Sequence, residues 1–429
     1  MKKKFPERIA IMLLFISFSM SLKAQLFTNR NLLFEDKIYA QNIKTLQASR
    51  ADWDMAYPII KLNSDEKIKI SFDLLGENFV DFSYTLIHCD ANWNPSDLLF
   101  SEYCSGFEVN TLNEFYFSIN TFAKYIHYQV QMPNDDVSPL ISGNYLFVVF
   151  EQDNPERLIL SKRLYFVDSK VEISTTIKRS VTNNLQIAGQ RIDFNLFKTD
   201  ASVASENIQV AVFQNGRNDN SKKHLQPKFL SGNELIFQDE LANVFDAGNE
   251  FRHLDMKSER FQPMGVEQIY YEKPYYHFKL DTDFARNAGK YQTKRDLNGE
   301  FFIKREESDE SYRNADYFYA HFRLNTPNEL LGGDVFIVGA FSNWNLLPEN
   351  RMFYNLEAKN YEATLFLKQG YYNYAYVFKN TKTRAWDFNF FEGNFSETEN
   401  KYLIFVYDVN PLNNYHQLIG YKVFTNYQD

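Results

Sequence analysis

The residue types that could do chemistry crowd into one stretch, Tyr84 to Phe107, which reads YTLIHCDANWNPSDLLFSEYCSGF. It holds both cysteines of the chain, Cys89 and Cys104, together with His88, Asp90, Trp93 and Asp97. Two cysteines this close in an exported chain can form a disulfide contributing about 3 kcal/mol, or stay as buried thiols. Spacing alone does not decide, because it does not give their Cα separation. Asp90, Asn92 and Asn94 imitate the first ligands of a calcium loop, but Pro95 stands where that loop needs Gly and Ser101 where it needs Glu. A turn is the better reading, with Ser96 or Asp97 capping a short helical turn at residues 98–100. The seven histidines (88, 127, 224, 253, 277, 321 and 416) lack zinc-site spacing. Neither a nucleophile elbow nor a phosphate-binding P-loop is present. No catalytic, metal or cofactor residues are therefore assigned.

The elements that must position this stretch are strands. Val80, Phe82, Tyr84 and Leu86 alternate with Asp81, Ser83 and Thr85, the two-residue period of a half-buried strand. That period puts His88 on the apolar face, and Trp93 and Phe100 are expected to fold back over the edge of the sheet. Ile68, Ile70 and Phe72 alternate likewise, as do Ile126, Tyr128, Val130 and Met132, while residues 144–150 form a nearly continuous apolar strand. Turns at residues 133–136 and 153–155 separate short antiparallel strands, the pattern of a β-sandwich.

The whole chain carries the same signature. Its 41 Phe and 28 Tyr favour strands, and few helical periods occur, so an all-β fold of tandem β-sandwich modules is expected. The first 24 residues read as a secretory signal peptide: a basic start, a twelve-residue apolar run from Ile9 to Met20, and a small residue before Gln25. Five basic residues and one acidic residue leave with it, which moves the formal charge from -9 to -13. Such an acidic chain is a poor nucleic-acid binder, and no later apolar run is long enough to span a membrane. A short linker at residues 168–170 and a charged loop at residues 304–310 divide the rest into residues 25–168, 169–310 and 311–429. In the last, FIVGAFSNWN followed by LKQGYYNYAY resembles the early-set sandwiches of glycogen-binding modules. There Trp344 is an alternative glycan contact, though a ring at a turn is more often a core plug.

Read in order, YTLIHCDANWNPSDLLFSEY, SINTFAKYIHYQVQMPNDD, SGNYLFVVF and RLYFVD, then FRHLD, YQTKRDLNGEFFI, ADYFYAHF, DVFIVGAFSNWN, LKQGYYNYAYVF, EGNFSETENKYLIFVYD and LIGY, resemble the type IX secretion system plug protein family over essentially the whole mature chain. The resemblance implies a non-enzymatic periplasmic protein at the inner face of the outer membrane. It would close the periplasmic mouth of a large outer-membrane β-barrel translocon, its partner. On that reading the docking surface lies on the loops Asp90 to Tyr103 and Pro133 to Pro139, with Asp90, Trp93, Asp97, Tyr103, Asn134 and Asp135 as contacts. The competing class is an exported carbohydrate-binding or glycan-associated protein.

Overall fold

The computed structural model describes residues 31–152, 154–180 and 189–426; the signal-peptide reading lies outside them. The fold is all-β. In the first sandwich, one sheet places Gly143–Glu151 between Phe82–Cys89 and Asn154–Val167, with Lys37–Ile38 and Asn110–Thr111 at its edges. Ile59–Lys61 runs parallel to Asn154–Val167. The facing sheet runs Ile43–Arg50, Ile68–Leu75, Tyr125–Met132 and Phe115–Phe117. Ile70, Phe72, Ile126 and Tyr128 meet Tyr84, Tyr145, Phe147 and Val149 between the sheets, as the alternation requires. The other face of Gly143–Glu151 is covered as well, with Leu146 and Val148 under Trp93 and Leu158. Burial on both faces explains its unbroken apolar run.

The second sandwich pairs a sheet of Val171–Ser180, Gly189–Lys198, Glu234–Phe237 and Phe229–Ser231 with one of Lys222–Leu225, Ile208–Gln214, Lys401–Asp408 and Gln417–Thr425. Here the structure departs from the sequence reading. Lys401–Asp408, assigned to a C-terminal module, hydrogen-bonds to Ile208–Gln214, and Gln417–Thr425 pairs on its other edge. Conversely, Arg252–Asp255, Val266–Glu272, Tyr275–Leu280 and Phe301–Ile303 join the ten-stranded sheet of the third unit, beside Tyr317–Asn325 and Gly370–Asn380. The third unit is thus inserted into the second. Alternation reveals that a segment is a strand but not which strand it pairs with.

All three units share buried joints. Between the first and second, Tyr165 stacks on Phe405 at 4.4 Å and the Tyr407 hydroxyl donates to Asn144 Oδ1 at 2.9 Å. Between the first and third, Tyr125 and His127 lie on the face of their strand opposite the core residues Ile126 and Tyr128. Tyr125 donates to the Ala315 carbonyl, and His127 joins a buried cluster of Asp73, Tyr317 and Lys368. Between the second and third, the Arg217 guanidinium lies 3.4 Å from the centroid of the Phe388 ring. No helix among the described residues is long and apolar enough to cross a membrane.

Candidate interaction surface

The segment after Phe82–Cys89 is held as a turn. The Asp90 carboxylate accepts hydrogen bonds from the Asn92 N–H, the Asn94 N–H and Asn94 Nδ2, at 2.8, 2.8 and 2.9 Å, an Asx-type closure. Trp93 has φ of +69° and turns inward. Its ring is buried against Tyr165 with the Arg163 guanidinium 4.3 Å above it. Tyr103 is also buried; its hydroxyl donates to the Leu86 carbonyl. The helical turn is Phe100–Tyr103, and the group closing its start is Glu102, whose carboxylate accepts from the Leu99 N–H. That places it about two residues later than the sequence reading had it, and without Ser96 or Asp97 as cap.

Cys89 and Cys104 are free buried thiols in separate packing clusters, not a disulfide. Burial raises both thiols above their ordinary value, so neither is a reactive thiolate. His88 packs between Tyr145 and Tyr415, and burial lowers it to about 4, which leaves it neutral. Trp344 is buried against Phe251, Phe336 and Val377, so its face is closed to a sugar ring. Among the described residues there is no group of three or more His, Cys, Asp or Glu placed to hold a metal.

The two loops singled out in the sequence come together. Cys104–Gly106 pairs antiparallel with Val137–Pro139 as a separate two-stranded ribbon, continued by Phe107 N–H to the Asp136 carbonyl and Leu140 N–H to the Tyr103 carbonyl. Asn134 closes the turn: its Oδ1 accepts from the Asp136 and Val137 N–H groups at 3.1 and 3.0 Å, and its Nδ2 donates to the Tyr84 hydroxyl. Asn134 and Asp90 therefore shape the loops, whereas Asp97 and Asp135 are exposed. The ribbon also exposes apolar side chains that sequence reasoning missed: Leu99 at 59%, Phe107 at 70% and Leu140 at 49%.

The first sandwich, ribbon included and Lys37–Ile38 excepted, lies within a match to the type 9 secretion system plug protein 1st domain over residues 43–168. A solved structure, a hypothetical protein from Parabacteroides merdae ATCC 43184, is 34% identical with a TM-score of 0.88, over 92% of this chain and all of that one. Residues 43–168 thus match the first domain of type 9 secretion system plug proteins. The family match itself spans the first domain and not the entire chain. No curated protein matches. The plug-domain assignment gives the protein a role in type IX secretion and points to a structural, non-catalytic part in it.

Within the plug domain, the ribbon depends on Gly106. Its φ is +93°, and a Cβ there would stand 2.0 Å from the Asp136 carbonyl oxygen. Gly106→Ala is expected to part the two strands and cost about 1–3 kcal/mol from backbone strain alone, read as a lower denaturant midpoint. An unchanged midpoint, with Phe107 and Asp136 amides still protected from hydrogen exchange, would contradict this.

Proposed function

We propose that the protein closes the periplasmic mouth of the outer-membrane translocon barrel of the type IX system, as an exported periplasmic body at the inner face of that membrane. The plug-domain match over residues 43–168 carries the reading. The fold suits it: a wide pore is occluded by area and shape, and three β units joined through buried contacts make one broad body. The test is single-channel conductance of the purified translocon in a planar bilayer. Adding the chain on the periplasmic side is expected to lower conductance. A barrel that binds the chain and conducts as before would sink the proposal.

A further inference from the structure

We propose that the ribbon of the plug domain is an acidic docking knob whose partner is a basic surface bearing an apolar cleft. The proposal rests on the plug reading, under which that surface is the periplasmic rim of the translocon barrel.

Three observations carry it. The first is exposure of apolar groups on a small, well-held projection. Leu99, Phe107 and Leu140 stand out from a frame built by the strand pairing of Cys104–Gly106 with Val137–Pro139 and by the Asn134 turn. Val109 adds to them at 39% exposure. Single exposed apolar residues need no explanation, but several on one projection mark a contact site.

The second is charge. Between Lys69 and Arg157 the chain has one basic residue, Lys124, against thirteen carboxylates. On the ribbon and its flanks these include Asp97, Glu102, Glu108, Asp135 and Asp136. Glu108 sits partly buried with its carboxyl raised by desolvation, and no cation acts on it. A cluster of one sign around an apolar centre selects a partner of the opposite sign by steering and by rejecting acidic surfaces.

The third is the bracing underneath. Tyr103 is buried below the ribbon, and its carbonyl accepts from the Tyr145 hydroxyl at 3.0 Å. With Asn134 and Gly106 fixing the turn geometry, the apolar side chains are presented on ordered backbone, which lowers the cost of ordering on binding.

The test is surface-immobilised purified translocon binding the full chain, with rates measured across a salt series. Phe107→Ser with Leu140→Ser is expected to weaken binding about thirtyfold, mainly through faster dissociation. Replacing Asp135 and Asp136 by Lys is expected to slow association about tenfold at low salt and flatten the salt dependence. These side chains are exposed, so the variants should keep the parent's denaturant midpoint. Phe353→Ser with Leu356→Ser, equally exposed in the third unit, serves as control and should bind like the parent.

Binding by the parent that neither knob variant alters would overturn the knob and leave the plug reading intact. Failure of the parent to bind the translocon at all would overturn both. Concentration-dependent dimerisation of the parent, lost in the Phe107→Ser, Leu140→Ser variant while translocon binding persists, would assign the knob to a second copy and also overturn the proposal.

Discussion

Asp73→Asn is expected to destabilise the protein by about 3–5 kcal/mol, the usual cost of breaking a buried ion pair from one side. Asp73 is fully buried on the outer face of the first sandwich, in the joint to the third unit. One of its carboxylate oxygens accepts from His127 Nδ1 at 2.7 Å, and the other from the Tyr317 hydroxyl and Lys368 Nζ, both at 2.6 Å. Lys368 is 1% exposed, and with Asp73 neutralised it keeps the Tyr312 carbonyl and the Tyr125 ring, neither of which carries a charge. An ammonium in such a place has lost its hydration and gains no charge in return. The measurement is a denaturant midpoint; a loss under about 1 kcal/mol would show that the cation relaxes to water, as surface pairs do.

The same joint fixes an acid limit. Burial pushes the Asp73 carboxyl up, but Lys368 and the hydrogen bond from His127 outweigh it and hold the group below its ordinary value. A carboxyl held low in the folded state stabilises the protein above the unfolded value of about 3.9, and that contribution disappears as pH falls through the folded value. The parent should therefore lose stability below about pH 4, and Asp73→Asn should lose correspondingly less. Replacing both partners, with Asp73→Leu and Lys368→Met, should recover much of the single-mutant loss, since an apolar pair needs no counter-charge.

Much of the fold was legible because period two survives in the sequence wherever one face is buried. Ile68, Ile70 and Phe72, like Ile126, Tyr128 and Met132, point into the first core. The module boundaries were less legible. Lys401–Asp408 is buried on both faces: Ile404 and Val406 enter the second core, while Leu403, Phe405 and Tyr407 face the first sandwich. Its apolar run shows two-sided burial but contains nothing about which sheets lie on either side. The loops of the candidate surface were found from their length and special residues, yet two of the six contact residues chosen, Trp93 and Tyr103, face inward. Trp93 and Tyr103 were chosen for ring size, and ring size is also what draws a side chain into the core. Neighbouring leucines make the difficulty plain. Leu98 packs against the first core whereas Leu99 is exposed, a distinction set by the short helix and not by residue type.

Phe405→Ala tests whether the first two sandwiches act as one body. Phe405 is 1% exposed on the face of its strand that leaves the second sandwich, stacked at 4.4 Å on Tyr165 of the first and edge-on to Phe213 at 5.8 Å. Truncating a buried Phe costs about 3–5 kcal/mol where the cavity cannot collapse. Collapse here would require two sheets from different sandwiches to approach each other, against the Tyr407–Asn144 hydrogen bond. The connection between the first two units shares this joint, because the Asp168 and Lys170 N–H groups donate to the Leu418 and Ile419 carbonyls at 3.0 and 2.8 Å. Loosening the joint should free that connection and speed tryptic cleavage after Lys170 by the factor that the lost opening energy implies, on the order of a hundredfold for 3 kcal/mol. Phe194→Ala, which removes a ring stacked at 4.5 Å on Phe237 inside the second core, should cost similar stability without the same gain at Lys170. Equal cleavage in the two variants would mean that the units come apart only by unfolding. A body that stays rigid up to that point can still occlude a pore, but it cannot release one by opening at this joint. Release would then have to occur at the outer surface, where a partner is held by contacts that can be competed away.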